Sequence, residues 1–473
     1  RGQDLSRHLG SLATAGRSRK NKRHSIIVRL NPADTKKVSV GDKASQVTVL
    51  RFVDGDRRLG HGIGQILAQL AQRGMYPPEK AIDLAILAAT VTAADTRVSR
   101  AADAQDSWTR EFDLYIPVAE PEIWLANAKL IERTLKFLTG DHWRIAFRPR
   151  QKGMDSLIDR QPELVGATFD SVCLFSGGLD SFVGAIDLLN AGNNPIFVSH
   201  YHDASTKSQE ICASRLGKVY GDLGPRHVRA NVSFDKNDMP DLGTETTTRG
   251  RSFIFFALAS LAASALDGVT PIYVPENGLI SLNVPLDPLR LGAWSTRTTH
   301  PFYMARWQDL LDNLGLDARL MNPYRFKTKG EMLSGCENKT FLRKNVDITV
   351  SCSSFTKGRY KKRSPGHCGY CTPCLIRRAS IHAAFGSDST EYSIPDLYAQ
   401  SLDMKKAEST DVRAFQMMSR RLTGKPALAD ILVHKTGPLD DYSPEEIAEY
   451  AAVFQRGIAE VGEIIDDVVI EAA

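Results

Sequence analysis

The chain has 473 residues, more than one ordinary hydrophobic core accommodates, so two or three domains are expected. Hydrophobic content of 42% and charged content of 24% are those of a soluble globular protein. The net charge of +5 is too modest to demand a nucleic-acid partner. The longest apolar stretch, residues 253–266, falls short of the roughly 20 residues that span a bilayer. No secretory leader is read in the polar, basic start, so a cytoplasmic protein without a membrane partner is expected. Seven cysteines, an odd total, fit a reducing compartment better than a disulfide framework.

In chain order, Arg17, Arg19, Lys20, Lys22 and Arg23 concentrate charge at the start, and residues 1–24 are read as a basic flexible tail. A nucleic-acid arm is the alternative. Residues 25–30, 46–53, 111–118 and 143–150 read as strands, and 79–94 and 121–138 as helices, the latter with a proline in its first turn. Residues 25–165 are therefore expected to form an N-terminal α+β accessory domain. The glycine cluster at residues 60–64 reads as a loop rather than a phosphate site.

From residue 168 the texture changes to strand–helix alternation, which predicts an α/β fold with a parallel sheet over residues 166–400. The expected strands are 171–175, 195–200, 227–232 and 271–276, with helices from 181, over 209–220 and over 252–266. Residues 347–352 read as a later strand leading into a cysteine cluster. Residues 401–473 are expected to be a helical extension; Ser443, Pro444, Glu445 and Glu446 mark one helix start.

The first buried strand of the α/β region hands over to its helix through Ser176-Gly177-Gly178-Leu179-Asp180-Ser181. Two glycines permit positive φ and close approach, and a helix start adds backbone N–H groups and a positive dipole end. Such a turn is a nest for an anion, most naturally phosphate. Ser176 and Ser181 add hydroxyls, and Asp180 fits beside a phosphate if a Mg²⁺ ion bridges them. A plain glycine turn capped by serine is the other reading. No Lys-Ser/Thr pair follows, so this is not a Walker A loop.

Cys368, Cys371 and Cys374 stand at C-x-x-C-x-x-C spacing, and Cys352 is the nearest upstream fourth ligand. Four thiolates suit tetrahedral Zn²⁺; an iron–sulfur cluster or free thiols are the alternatives. Cys336 and His367 stand in reserve for the fourth place. Between the cysteines, Lys357, Arg359, Lys361, Lys362 and Arg363 form a second basic cluster.

Together, SGGLDS and the later "SC…HCGYCTPCLIR" resemble the 7-cyano-7-deazaguanine synthases, the QueC family of PP-loop ATP pyrophosphatases. Residues 198–210, 248–263 and 322–333 agree with further family segments, so the resemblance spans about residues 168–380. It implies a PP-loop domain that binds ATP with Mg²⁺ and Zn²⁺, releases AMP, and adenylates a 7-carboxy-7-deazaguanine-type acid for transfer to an amine. Gly177, Gly178, Ser176, Asp180 and Ser181 would cradle pyrophosphate, with Asp180 on Mg²⁺. Lys329 (or its neighbour Lys327) would stabilise the α-phosphate, or else be a surface cation. Arg251 would contact nucleotide or substrate carboxylate, or be a helix-start surface residue. Ser199 and His200 end the second strand, where adenine is recognised, although a histidine there is more often packed. Glu276 and Asn277 would read the purine-like edge, or simply cap the loop.

The stretch 276–301 departs from the element expected in compact synthases, which leaves the nitrile product open. The flanking regions resemble the longer QueC-like proteins of bacterial anti-phage operons, the Qat and some CBASS systems. That layout implies a protein partner or a protein amine as acceptor, with ammonia as the alternative. A tRNA-modifying enzyme and a non-catalytic nucleotide-binding scaffold of a defence complex are the competing functions.

Overall fold

The structure is a computed structural model and describes residues 22–43, 45–53, 59–158, 168–201, 205–287, 297–353, 355, 366–399 and 401–471. Strand β1 (Arg23–Arg29) carries the β-branched run Ile26-Ile27-Val28 and is buried at all three. It pairs in parallel with β2 (Gln46–Arg51) and with β3 (Glu111–Val118), and β4 (His142–Pro149) pairs in parallel with β3. Helices α1 (Ile63–Ala71) and α2 (Glu79–Arg97) fill the β2–β3 crossover, and α3 (Pro121–Thr139) fills the next. The N-terminal region is thus an α/β layer of order β2-β1-β3-β4, which corrects the α+β expectation. Apolar patterning identifies strands but carries no information on their direction. Arg23 and His24 also leave the expected tail and open β1, where Arg23 pairs with Glu111 and Asp113.

The second sheet joins β5 (Ser171–Leu174), β6 (Pro195–His200), β7 (His227–Ala230), β8 (Thr270–Tyr273) and β9 (Ala318–Met321). All pairs are parallel and the order is β7-β6-β5-β8-β9. The chain runs outward from β5 to β7, then returns to place β8 on the other side of β5. The crevice between the ends of β5 and β8 is therefore the topological switch point, where open parallel sheets hold ligands.

Its helices are α4 (Leu179–Asn190), α5 (Ser205–Tyr220), α6 (Arg251–Ala263), α7 (Gly278–Leu282), α8 (Pro301–Leu314), α9 (Lys329–Ser334) and α10 (Lys339–Asn345). The C-terminal side adds α11 (Thr372–Phe385), α12 (Ala407–Gly424) and α13 (Pro444–Gly462).

Helix α6 is apolar nearly all round and buried nearly all round, because it lies between two layers. One face meets β5, β6 and β8, and the other meets α2 of the N-terminal region. A single hydrophobic cluster accordingly runs from Ile26 and Leu114 through Val91 and Leu258 to Val172 and Ile196. The opposite face of the second sheet packs Cys173 and Phe197 with Phe182 of α4 and Leu333 of α9. The C-terminal helices pack Phe415, Tyr450 and Phe454 against Leu279 of α7 and Ile376 of α11.

Residues 347–352 do not form the strand expected of them. A 3-10 turn, Val346–Ile348, is followed by an extended segment outside either sheet. The basic residues Arg17, Arg19 and Lys20, and those from Lys357 to Arg363, lie outside the described residues. Among the described residues, no helix is long and apolar enough to cross a membrane.

Candidate active site

The turn after β5 is built as its sequence requires. Gly177 has φ +75°, and a Cβ there would lie 2.6 Å from Ser208 Oγ and 2.8 Å from the Gln209 backbone nitrogen. Both the left-handed conformation and the close approach of α5 exclude a side chain. Gly178 is the N-cap of α4, which starts with no side-chain cap. Ser176 and Ser181 knit the turn: their hydroxyls stand 3.1 Å apart, and Ser181 Oγ donates to the Gly178 carbonyl at 3.0 Å. The uncapped start of α4 combines backbone donors with the positive end of the helix dipole, an anion site by construction.

Two distant residues brace this turn. The Val350 N–H donates to the Gly177 carbonyl at 3.1 Å. The Gln209 amide donates to the His200 carbonyl at 3.1 Å and reaches the Ser176 carbonyl at 3.5 Å. Neither residue stands in the glycine motif, so motif reading alone does not find them.

Across the switch-point crevice, Asp180 and Lys329 form a buried ion pair with Nζ 2.7 Å from Oδ1. The other carboxylate oxygen accepts from Asn277 twice, from Nδ2 at 2.7 Å and from the backbone nitrogen at 3.2 Å. Burial would raise the Asp180 pKa, but the Lys329 ammonium and hydrogen bonds from Glu276, Lys329 and Asn277 outweigh it and hold the carboxyl below its ordinary range. Glu276 goes the other way. Loss of solvation, then the Asp180 charge and its hydrogen bond, push its carboxyl well above the usual value. The two carboxyls are thus driven apart, Asp180 toward its ionised form and Glu276 toward its protonated form.

Asn277 completes this centre as a structural residue. Besides holding Asp180, it caps α7 by accepting from the Ile280 N–H at 3.1 Å. Both ends of its amide are committed within the chain. In this arrangement one oxygen of Asp180 faces Lys329 and the other faces Asn277, and each keeps a further lone pair.

Lys329 opens α9, whose start is fixed by a capping box between Thr328 and Glu331. Glu460 of α13 adds a second carboxylate at the same helix end. It accepts from Thr328 Oγ1 at 2.6 Å and from the Gly330 N–H at 3.1 Å. Glu460 is a further unannounced member of the site, because its helix carries only an ordinary amphipathic pattern.

Ser199, His200 and Arg251 lie on the β6 side of the crevice. Ser199 Oγ donates to the Phe175 carbonyl and bonds His227 Nε2 at 2.8 Å. Burial, then Arg229 and Arg73, lower the His227 pKa to about 3, so that ring is neutral. His200 is packed: its Nε2 lies 3.1 Å from the Val232 carbonyl, and its ring meets Phe255 edge-on at 5.4 Å. Arg251 stands over the same Phe255 ring at 5.2 Å. His200 and Arg251 gather on Phe255, whereas Ser199 is taken up by Phe175 and His227.

The four cysteines converge as their spacing requires. The Sγ atoms of Cys352, Cys368, Cys371 and Cys374 all lie within 4.8 Å of one another. Cys352–Cys371 and Cys368–Cys374 separations are 3.9 and 3.8 Å, close to the edge of about 3.8 Å that Zn–S bonds of about 2.3 Å imply for a tetrahedron. The set fits Zn²⁺ in a closed, structural site. Cys336 is buried elsewhere, in the core cluster around α4 and α9. His367 instead accepts the Ser351 N–H at Nε2, 3.2 Å away, and so holds the backbone beside Cys352.

No protein-family model matches the chain. No solved structure matches it either. Two curated proteins are similar to it, both 7-cyano-7-deazaguanine synthases. The protein of Methanoregula boonei is 25% identical over 236 residues, covering 47% of this chain and 98% of that protein. The protein of Cupriavidus necator is 27% identical over 243 residues, covering 47% of this chain and 96% of its own length. Nearly complete relatives thus match about half of this chain, which supports a QueC-like part within a longer protein.

Proposed function

We propose that the chain is an ATP-dependent, AMP-forming enzyme that activates a 7-carboxy-7-deazaguanine-type acid and passes it to an amine. The observation that carries this reading is the buried Asp180–Lys329 pair beside an uncapped glycine turn at the switch point. A carboxylate is a poor acyl donor because oxide would have to leave. Attack of its oxygen on the α-phosphorus of ATP expels pyrophosphate and makes AMP the later leaving group.

The turn from Ser176 to Ser181 would hold the departing pyrophosphate, where backbone donors and the helix dipole meet growing negative charge. Lys329 would lean on the α-phosphate side, held ready by Asp180. An amine then attacks the acyl carbon, AMP leaves, and the nitrogen loses its proton. Zinc would contribute no bond-making step; it would fix the segment whose Val350 braces Gly177.

For the acceptor, the longer layout favours a protein amine within an anti-phage defence system. The first test is incubation with ATP, Mg²⁺ and 7-carboxy-7-deazaguanine. AMP and pyrophosphate should form in equal amounts, and Asp180→Ala should reduce their formation by at least about a hundredfold. Absence of AMP from protein that binds ATP and zinc would sink the reading. Mass spectrometry of a candidate partner chain would then show an added deazaguanine acyl group.

A further inference from the structure

A groove of about 640 Å³ lies along α11 and shares no residue with the glycine turn or the ion pair. Helix α11 contributes Arg378 and His382, the segment 388–398 contributes most of the rest, and Ile464 follows just past α13. The cysteine site holds that segment in place. The Ile394 N–H donates to the Cys368 carbonyl at 3.2 Å, and the Ser393 N–H to the His367 carbonyl at 2.8 Å. Tyr392, Pro395, Tyr398 and Ile464 give the groove apolar walls, and Tyr398 is 54% exposed.

The charge of the groove is one-sided. Arg378 is already spent: its guanidinium donates to the Pro395 carbonyl at 2.9 Å and to the Ile394 carbonyl, and lies 3.8 Å from the centre of the Tyr392 ring. Asp388 is spent as well, accepting from the Tyr392 hydroxyl at 2.6 Å and from the Thr390 N–H at 2.8 Å. Glu391 and Asp396 remain. Both are exposed, and among the described residues neither forms an ion pair. Asp396 uses one oxygen to accept from the Tyr398 N–H at 2.8 Å and keeps the other. Asp466 and Asp467 extend the same field, because burial and then these two charges, with Asp396, push the Tyr398 hydroxyl up from its ordinary pKa.

Such a field repels a phosphate backbone and anionic lipid headgroups, so nucleic acid and membrane are poor occupants. A polyamine or a metal ion would leave the apolar walls unused. A polypeptide segment that carries Lys or Arg beside an apolar side chain satisfies both features at once. We propose that this groove docks an extended basic segment of a partner protein, with its cations on Glu391 and Asp396 and an apolar side chain between Tyr398 and Ile464. The groove plays no part in the acid-activating reading, and the assignment stands or falls apart from it.

The test is fluorescence anisotropy of a labelled octapeptide of alternating arginine and leucine, titrated with the full chain at about 50 mM salt. Wild type should bind saturably, and the same peptide with glutamate in place of arginine should not. The double variant Glu391→Lys, Asp396→Asn reverses one charge, removes another and keeps an acceptor for the Tyr398 N–H. It should weaken binding by about tenfold or more. Tyr398→Ser, which removes the apolar wall and leaves the acids, should weaken it about fivefold. Glu122→Lys, an exposed reversal on α3 of the N-terminal layer, should change it by less than about twofold. All four positions are exposed, so the variants should melt with wild type. No saturable binding by wild type, or equal binding of the glutamate peptide, overturns the assignment. So does binding that the groove variants retain, or that Glu122→Lys weakens as much as the double variant does.

Discussion

Lys329 keeps its ammonium in a place where its side chain is only 7% exposed, and the carboxylates around it decide whether that is tolerable. Asp180 supplies the opposing charge, while burial and the Asp180 charge drive Glu276 toward its protonated form. The two acids have opposite linkage to pH. Asp180, held below 3.8, contributes stability above that value that is lost as pH falls through its folded pKa. Glu276, held above 4.5, contributes stability that is full below that value and lost as pH rises through its folded pKa. Glu276→Gln keeps a donor toward Asp180 and removes the second effect. The variant should therefore gain melting temperature relative to wild type as pH rises from about 5 to about 9. A parallel pair of melting curves across that range would show that Glu276 is not the protonated partner. At this scale the sequence made Asp180 and Lys329 legible, because glycines and a Thr-Lys-Gly-Glu segment surround them. It did not show that Glu276 and Asn277 would face Asp180, because two strands and their crossovers intervene. Gln209 and Glu460 had no local signature at all.

Short elements do much of the positioning, and they are the ones that periodicity cannot detect. Helix α9 has six residues and β9 has four, too few for either period to register. Helix α9 packs on α11, and Glu460 of α13 holds its start through Thr328 and Gly330. A Cβ on Gly330 would come within 2.7 Å of Glu460 Cδ, so Gly330→Ala must push that carboxylate away from the helix start that carries Lys329. We expect a loss of about 1–3 kcal/mol in stability from overpacking, and a larger fall in AMP formation than in ATP binding. Urea unfolding and the two activity measurements check this; unchanged AMP formation would show that α13 does not position Lys329. The extended segment before Cys352 acts in the same way on the other side of the turn. Its Val350–Gly177 hydrogen bond links the cysteine site to the phosphate cradle. Cys352→Ser should lower bound zinc from near one per chain and weaken ATP binding about tenfold or more. Metal analysis with ATP titration tests this, and full ATP affinity in zinc-free protein would disconnect the two sites. The expected strand at 347–352 was a fair reading of an apolar run, but the sheet already has its edge at β9 and the segment serves the loop instead.

At the scale of the whole molecule, the two large sheets share α2 and α6 as a common interior, so the N-terminal layer is part of the core of the second sheet. That relation was half legible. The apolar run of α6 was read as a helix, but nothing in it said that one of its faces belongs to α2. Parallel strand direction in the first sheet was also hidden, since it depends on crossovers rather than on side-chain alternation. Asp95 on α2 is where the two halves are joined by charge. It lies 2.6 Å from Arg110 and also accepts from the backbone N–H groups of Arg249 at 2.7 Å and Gly250 at 2.6 Å, at the start of α6. Asp95→Ala removes one of the two carboxylates on Arg110, Asp141 keeping the other, and leaves two backbone N–H groups at the start of α6 without their acceptor. With Arg110 still paired to Asp141, the lost hydrogen bonds should cost about 1–3 kcal/mol. Because the core is shared, that loss should lower one cooperative transition rather than melt the first sheet alone. Calorimetry of the full chain should show a single main peak that moves down in the variant, with zinc release at the same temperature. Two resolved transitions, only the first of them shifted and without zinc release, would mean that the N-terminal layer folds independently of the site it covers.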